Sequence, residues 1–330
     1  MSSRLTPAGR ERKVDTLRSA MPPHQQTRRR FLETAAALPL AAAGSVSLSA
    51  AQATTTAPAS SGPAPAAPGT GPARAVLITM LPPGSMGDRF AAAKAAGFGG
   101  VEYLFPYDFD KAELREQLHQ HGLTQVLHNL PAGNWVAGER GIAILPDRVE
   151  EFRDGVARAI DYAKALDCRQ LNCLVGIAPD GADTTDLNEV LIGNLRFAAD
   201  ALAREGIKFL IEPINTIDIP GFFLNKTAQA LQLIADVRSN NLFVQYDIYH
   251  MQIMEGDIAR TLQKHLPRIA HVQLADNPGR NEPGTGEINY PFLFRHLDAI
   301  GYRGWVGCEY KPRTTTVEGL GWHAALTADT

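Results

Sequence analysis

The sequence predicts a (β/α)8 TIM barrel that follows an N-terminal extension, disordered or cleaved. Three observations lead there. From about residue 73, short β-branched and apolar runs alternate eight times with longer amphipathic stretches, the pattern of a parallel sheet with helical crossovers. The span 73–330 has the length usual for one closed barrel of this kind. No GxGxxG follows the first strand, so an open, doubly wound dinucleotide-binding sheet lacks its main signature.

The extension reads in two parts. Arg28, Arg29 and Arg30 precede Phe31 and Leu32, an alanine-rich run follows from Ala35 to about Leu48, and Ala51-Gln52-Ala53 fits a small-residue cleavage site. Residues 1–53 are therefore expected to be a twin-arginine-type export signal, which makes the protein periplasmic or exported, or cytoplasmic if the signal does not function. The bland alternative is a disordered tail with a chance arginine cluster. The run is too short and too weakly apolar for a spanning helix, so no stable membrane span is expected after signal removal. Residues 54–72, rich in Ala, Pro, Ser and Thr, cannot bury a core and read as a linker.

The barrel elements follow in order. The first strand is Ala75 to Met80, and the first helix runs from about Met86 to Ala96, stopped by Gly97. The second strand is Gly100 to Leu104, and its helix, capped by Asp110 and ended by Gly122, reaches His121. The third strand is Thr124 to Asn129. A long connection, LPAGNWVAGERGIAILP, precedes the third helix at about Asp147 to Leu166. Loops of that length in a compact domain are functional or disordered, and Trp135 favours function. The fourth pair is Gln170 to Val175 and about Asp186 to Glu205; the fifth is Lys208 to Glu212 and about Thr227 to Val237. Leu242 to Asp247 is the sixth strand, IYHMQIMEGD a loop, and about Asp257 to Leu266 its helix. The seventh pair is Ile269 to Gln273 and about Pro291 to Ile300, and Trp305 to Glu309 is the eighth strand.

Charge and cysteine content narrow the function. The formal charge is −3, and residues 1–53 carry eight Lys/Arg against three Asp/Glu, which leaves −8 on the rest. No basic stripe remains for nucleic acid. Cys168, Cys173 and Cys308 form no disulfide framework; packing is the expected role, with a Cys168–Cys173 pair left open. A homo-oligomer is compatible with the sequence.

Four predicted strands end on an oxygen donor: Glu212, Asp247, Gln273 and Glu309. Pro213 stops the fifth strand just after its carboxylate. A lone acid at a strand end is often a helix cap or a loop salt bridge. Four at neighbouring strands, each the first hydrophilic residue after an apolar run, converge on the catalytic face of a barrel. Three carboxylates and an amide are hard donors suited to one Mg2+ or Mn2+ ion. Such a dication polarises a hydroxy-carbonyl substrate and favours an enediolate, while Glu212 and Glu309, on strands five and eight, can serve as base and acid from opposite sides. His128 and Asn129 end strand three and are expected to face the same mouth, and His250 to line the pocket. Glu139 and Arg140 either pair on the surface or form a lid, and Arg280 and Lys311 are candidates to hold a substrate carboxylate.

The strings VEYLFPYD, LPAGNWVAGERG, EPINTIDIPGFFL, QYDIYHMQIMEGD, ADNPGRNEPGTGEINYPFLF and CEYKP resemble the hydroxypyruvate isomerase family of the xylose-isomerase-like barrel superfamily, which includes the 2-oxo-tetronate isomerases. The resemblance runs from about Val76 to Trp322. It implies a divalent metal held by Glu212, Asp247, Gln273 and Glu309, with Glu212 and Glu309 as proton donor and acceptor, and a place in glyoxylate metabolism. Related ketose 3-epimerases carry His where Gln273 stands, and the His-rich multi-metal site of related endonucleases is missing at these strand ends. The expected activity is interconversion of hydroxypyruvate and tartronate semialdehyde through a cis-enediolate, with a small hydroxy-oxo acid as the binding partner. Alternatives are isomerisation or epimerisation of a 2-oxo-tetronate or another small sugar or sugar acid, and a non-catalytic sugar-acid binding protein.

Overall fold

The computed structural model describes residues 73–323. The expected export signal and linker lie outside the described residues. Eight parallel strands close into a barrel in sequence order: β1 (Ala73–Leu77), β2 (Gly100–Tyr103), β3 (Thr124–Asn129), β4 (Gln170–Cys173), β5 (Lys208–Ile211), β6 (Leu242–Asp247), β7 (Ile269–Leu274) and β8 (Trp305–Cys308), with β8 pairing back onto β1. The helices are α1 (Met86–Ala95), α2 (Lys111–His121), α3 (Val149–Ala165), α4 (Thr184–Arg204), α5 (Thr227–Val237), α6 (Ile248–Met254), α7 (Ile258–His265) and α8 (Tyr290–Ala299). Among the described residues no helix is long and apolar enough to cross a membrane.

Local chemistry starts the helices where the sequence says it should. Ser85 and Asp88 form a reciprocal capping box on α1, and Asp110 accepts from the backbone N–H groups of Ala112 and Glu113 at the start of α2. Two elements depart from expectation. The IYHMQIM stretch is not a loop but α6, and its N-cap is Asp247, the last residue of β6, whose side chain accepts from Tyr249 N at 2.8 Å. The first strand ends earlier than expected, at Leu77, and passes into a 3-10 turn over Ile78–Met80. The three cysteines are buried and free, so the Cys168–Cys173 disulfide does not form.

The barrel holds an apolar cluster and a polar one. Ala75, Val126, Leu127 and Leu210 cluster with Phe243 and Trp305. Beside them, hydrogen bonds run across the barrel between strands that are not neighbours. Gln170 on β4 meets His271 Nδ1 on β7 at 3.2 Å, and Gln273 on β7 donates to Glu102 Oε2 on β2 at 2.9 Å. The register between β6 and β7 slips between Val244 and Gln245, which then sets Gln245 opposite His271 and Asp247 opposite Gln273. Glycine makes this floor possible. A Cβ on Gly307 of β8 would lie 2.4 and 2.6 Å from the two carboxylate oxygens of Glu102. Every one of these polar side chains is buried, so each depends on its partners rather than on water.

Candidate active site

A cavity of about 600 Å3 opens at the C-terminal ends of the strands. Its lining includes Glu212, Glu309, Asn129, His250, Arg280, Arg140 and Lys311. Seven of the positions singled out in the sequence thus share one mouth, with Asp247 and Gln273 buried beneath it. Glu212 follows the last residue of β5 directly, and Asn172 Nδ2 on β4 donates to its Oε2 at 3.0 Å. Glu309 follows β8, and its Oε1 accepts from Arg280 Nη2 at 2.8 Å. The Arg280 guanidinium also lies 4.0 Å from Asp247 Oδ2 and 3.6 Å from Asp218 Oδ2, and it stands over the Tyr249 ring.

Glu212, Asp247 and His250 can bring one ligand atom each within 4.8 Å of one another. The electrostatics of the three groups suit a cation. Burial first, then the nearby Glu309 and Asp247 charges, push Glu212 well above the usual carboxylate range. Burial raises Asp247 against the opposing pull of Arg280, and it raises Glu309 to about 7 although 19 % of that side chain stays exposed. Asp247 Oδ2 has no hydrogen-bond partner although it is fully buried. Acidic oxygens gathered with too little positive charge, one of them orphaned, fit a hard dication.

His250 is the less suitable third ligand. Asn215 Oδ1 accepts from the N–H groups of Ile217 and Asp218, so its amide NH2 is the group that faces His250 Nδ1, at 2.6 Å. Asn215 N also points at Nδ1, at 3.4 Å. Nδ1 is therefore the acceptor. Burial holds the imidazole well below its ordinary pKa and hence neutral, so the proton sits on Nε2, 3.6 Å from Asp247 and 3.9 Å from Glu212. A protonated Nε2 donates to an oxygen and does not bind a metal. Gln273 offers the alternative: its Nε2 is taken by Glu102, and its Oε1, which accepts from Gln245 Nε2 at 2.6 Å, keeps a second lone pair.

Two expected members stand elsewhere. His128 is fully buried with its ring edge toward Tyr107, does not line the cavity, and is held neutral by burial, its pKa lowered to about 3. Adjacent strand residues point to opposite faces, so His128 and Asn129 cannot both face the mouth. Glu139 and Arg140 do not pair with each other. Glu139 pairs with Arg148 and accepts from Asn134 N, while Arg140 lies over the Trp135 ring on the cavity wall. The residues that sequence reasoning missed are Glu102, Asn172, Asn215, Gln245 and His271. All but Asn215 are polar residues inside apolar strand runs, and that interruption was the available signal.

The family model for the xylose isomerase-like TIM barrel matches residues 90–326. The hydroxypyruvate isomerase of Escherichia coli (strain K12) is 57 % identical over 234 residues, covering 71 % of this chain and 91 % of the relative. A 2-oxo-tetronate isomerase of Cupriavidus necator is 48 % identical, covering 71 % of this chain and 90 % of the relative. Among solved structures, one described as an AP endonuclease of family 2 from Brucella melitensis superposes with a TM-score of 0.75 at 49 % identity, covering 77 % of this chain and 98 % of that one.

Proposed function

Because the chain belongs to the hydroxypyruvate isomerase family of xylose isomerase-like TIM barrels, and so is an isomerase, we propose that it interconverts hydroxypyruvate and tartronate semialdehyde. The observation that carries the reading is the pair Glu212 and Glu309 on one cavity, both raised by burial toward neutrality. Such a pair keeps a proton near pH 7, which a shuttle between adjacent carbons needs. One glutamate takes a proton from the hydroxymethyl carbon, leaving a cis-enediolate. The hydroxyl proton passes to the former carbonyl oxygen and the other glutamate returns a proton to the neighbouring carbon, so the aldehyde forms where the hydroxyl was. His250 Nε2–H donates to a substrate oxygen between them, and Arg280 holds Glu309 in place. An Mg2+ or Mn2+ ion held by Glu212, Asp247, Gln273 and Glu309 supplies Lewis-acid polarisation of the carbonyl when bound.

A four-carbon 2-oxo-tetronate is the second reading. The cavity of about 600 Å3 is roomy for a three-carbon acid, and the Cupriavidus relative carries that activity in its name. The endonuclease reading fits the charge poorly, since −8 is left outside the first 53 residues. Export through residues 1–53 remains part of the proposal, and loss of periplasmic protein in an Arg28→Lys/Arg29→Lys/Arg30→Lys variant would support it.

The deciding experiment incubates the protein with hydroxypyruvate, Mn2+ and D2O and follows substrate carbons by NMR. Deuterium incorporation with aldehyde formation, both lost on chelation, is expected. Glu309→Gln should lose at least about 1000-fold in turnover while still binding substrate. Unchanged turnover in that variant would end the two-glutamate shuttle.

A further inference from the structure

Three cations reach the cavity, and they are not equivalent. Arg280 is committed to acids of the chain itself, at 2.8 Å from Glu309, 3.6 Å from Asp218 and 4.0 Å from Asp247. Lys311 is exposed, on a flexible stem. Arg140 has no acidic side chain within ion-pair distance among the described residues. Among the described residues only its Nη1 is used, donating to the carbonyls of Trp135 at 3.2 Å and Glu139 at 2.8 Å. The neighbouring acid, Glu139, is turned away to Arg148 and to Asn134 N.

The guanidinium is also held over an indole. Its centre lies 4.0 Å from the Trp135 ring centroid, and Trp135 packs edge-on against Phe105 at 5.1 Å. The loop beneath is fixed by its own backbone. Gly141 N bonds Ala132 O, Glu139 N bonds Asn134 O, and Gly138 N bonds Trp135 O. Gly141 sits at φ 119, and a Cβ there would lie 2.0 Å from Leu174 O, so the loop threads tightly against the end of β4. A half-buried, pre-oriented guanidinium with unspent donors on the wall of a cavity fits a planar anion two-pronged.

We propose that Arg140, clamped on Trp135, receives the carboxylate of the substrate and selects α-oxo acids over neutral ketoses. This rests on the isomerase reading above. It moves the anion receptor from Arg280 to the β3–α3 loop and leaves Arg280 to the catalytic carboxylates.

The test compares kcat/KM for hydroxypyruvate with that for dihydroxyacetone, in which a hydroxymethyl group replaces the carboxylate. Wild type, Arg140→Met and Arg140→Lys are assayed with Mn2+. In Arg140→Met the acid-to-neutral ratio should fall about 100-fold, mainly through KM for the acid, and Arg140→Lys should recover about a tenth to a third of the ratio. A ratio unchanged from wild type, or equal losses on both substrates, would overturn the assignment. If the wild type turns over neither compound, the isomerase reading fails, and calorimetric binding of pyruvate decides the receptor separately. Affinity lower by about 10-fold or more in Arg140→Met would keep it, and equal affinity would remove it.

Discussion

Gly307→Ala tests the polar floor of the barrel with one methyl group. The added Cβ would lie 2.4 Å from Glu102 Oε1, 2.6 Å from Oε2 and 2.8 Å from the carboxyl carbon. Glu102 is fully buried and its carboxylate is engaged from two sides, by Gln273 Nε2 at 2.9 Å and by His271 Nε2 at 2.6 Å, the latter a close contact not aligned as a hydrogen bond. It cannot yield without giving up those partners. Overpacking a core costs about 1–3 kcal/mol, and a buried donor left unpaired about 1–3 more. A destabilisation of about 3 kcal/mol is expected for the single variant, measured by urea unfolding of the metal-free protein. In a Glu102→Ala background the same glycine substitution should cost a few tenths of a kcal/mol, because the atoms it met are gone. A double-mutant cycle therefore gives a coupling of about 2–3 kcal/mol. A cost under about 1 kcal/mol in the wild type, or an equal cost in both backgrounds, would refute the account of Glu102 as the floor of the site.

Two further predictions follow from the carboxylates and the imidazole. Glu309 has its pKa raised from 4.5 to about 7 in the fold, so between those values the native state holds a proton that the unfolded chain has released. Stability of the metal-free protein then falls as pH rises through that window, by up to about 1.4 kcal/mol per pH unit for this group, and Glu212 and Asp247 act in the same direction. Melting in EDTA at pH 5.5 and 8.0, with Mn2+ added at the higher pH, should show the loss and its recovery; stability rising with pH in EDTA would contradict it. Asn215→Leu removes the amide that donates to His250 Nδ1 at 2.6 Å and leaves only the longer backbone N–H contact at 3.4 Å, so 15N spectra should change from a single Nε2–H tautomer to a mixture, with turnover down about 10-fold. A wild-type imidazole already protonated on Nδ1 would defeat that reading.

The strands were legible because parallel strands buried on both faces read as continuous apolar runs, and glycines such as Gly122 punctuate the helices. The four strand-end donors were legible for the same reason, each breaking an apolar run. Helix α6 was hidden because its cap is itself the last strand residue, Asp247, leaving no spacer to announce a new element. His128 was misplaced by reading two adjacent residues as one feature, when strand alternation separates them. The partners of Glu139 and Arg140 depend on how one loop folds back on Trp135 and Arg148, which spacing does not specify. The contact between Glu102 and Gln273 joins β2 to β7 and exists only because the barrel closes.

That closure has a chemical consequence for the site. A glutamine amide presents either an oxygen or an NH2 group, and the two ends differ little in shape. Glu102 accepts from Gln273 Nε2, which turns Oε1 the other way, to where Gln245 Nε2 donates to it. Burial raises both glutamates; hydrogen bonding from Gln245 weakly opposes that rise at Glu212 and hydrogen bonding from Gln273 does so at Glu309, so the two glutamates are tied to two linked amides. An apolar floor of equal volume would pack as well and spare the desolvation of Glu102 and His271. It would also leave the Gln273 amide free to turn, so that its Oε1 would no longer be held toward Gln245 nor its NH2 toward Glu102. The polar floor is thus best understood as orienting the site, with Gly307 retained because only a residue without a side chain leaves room for the carboxylate that does it.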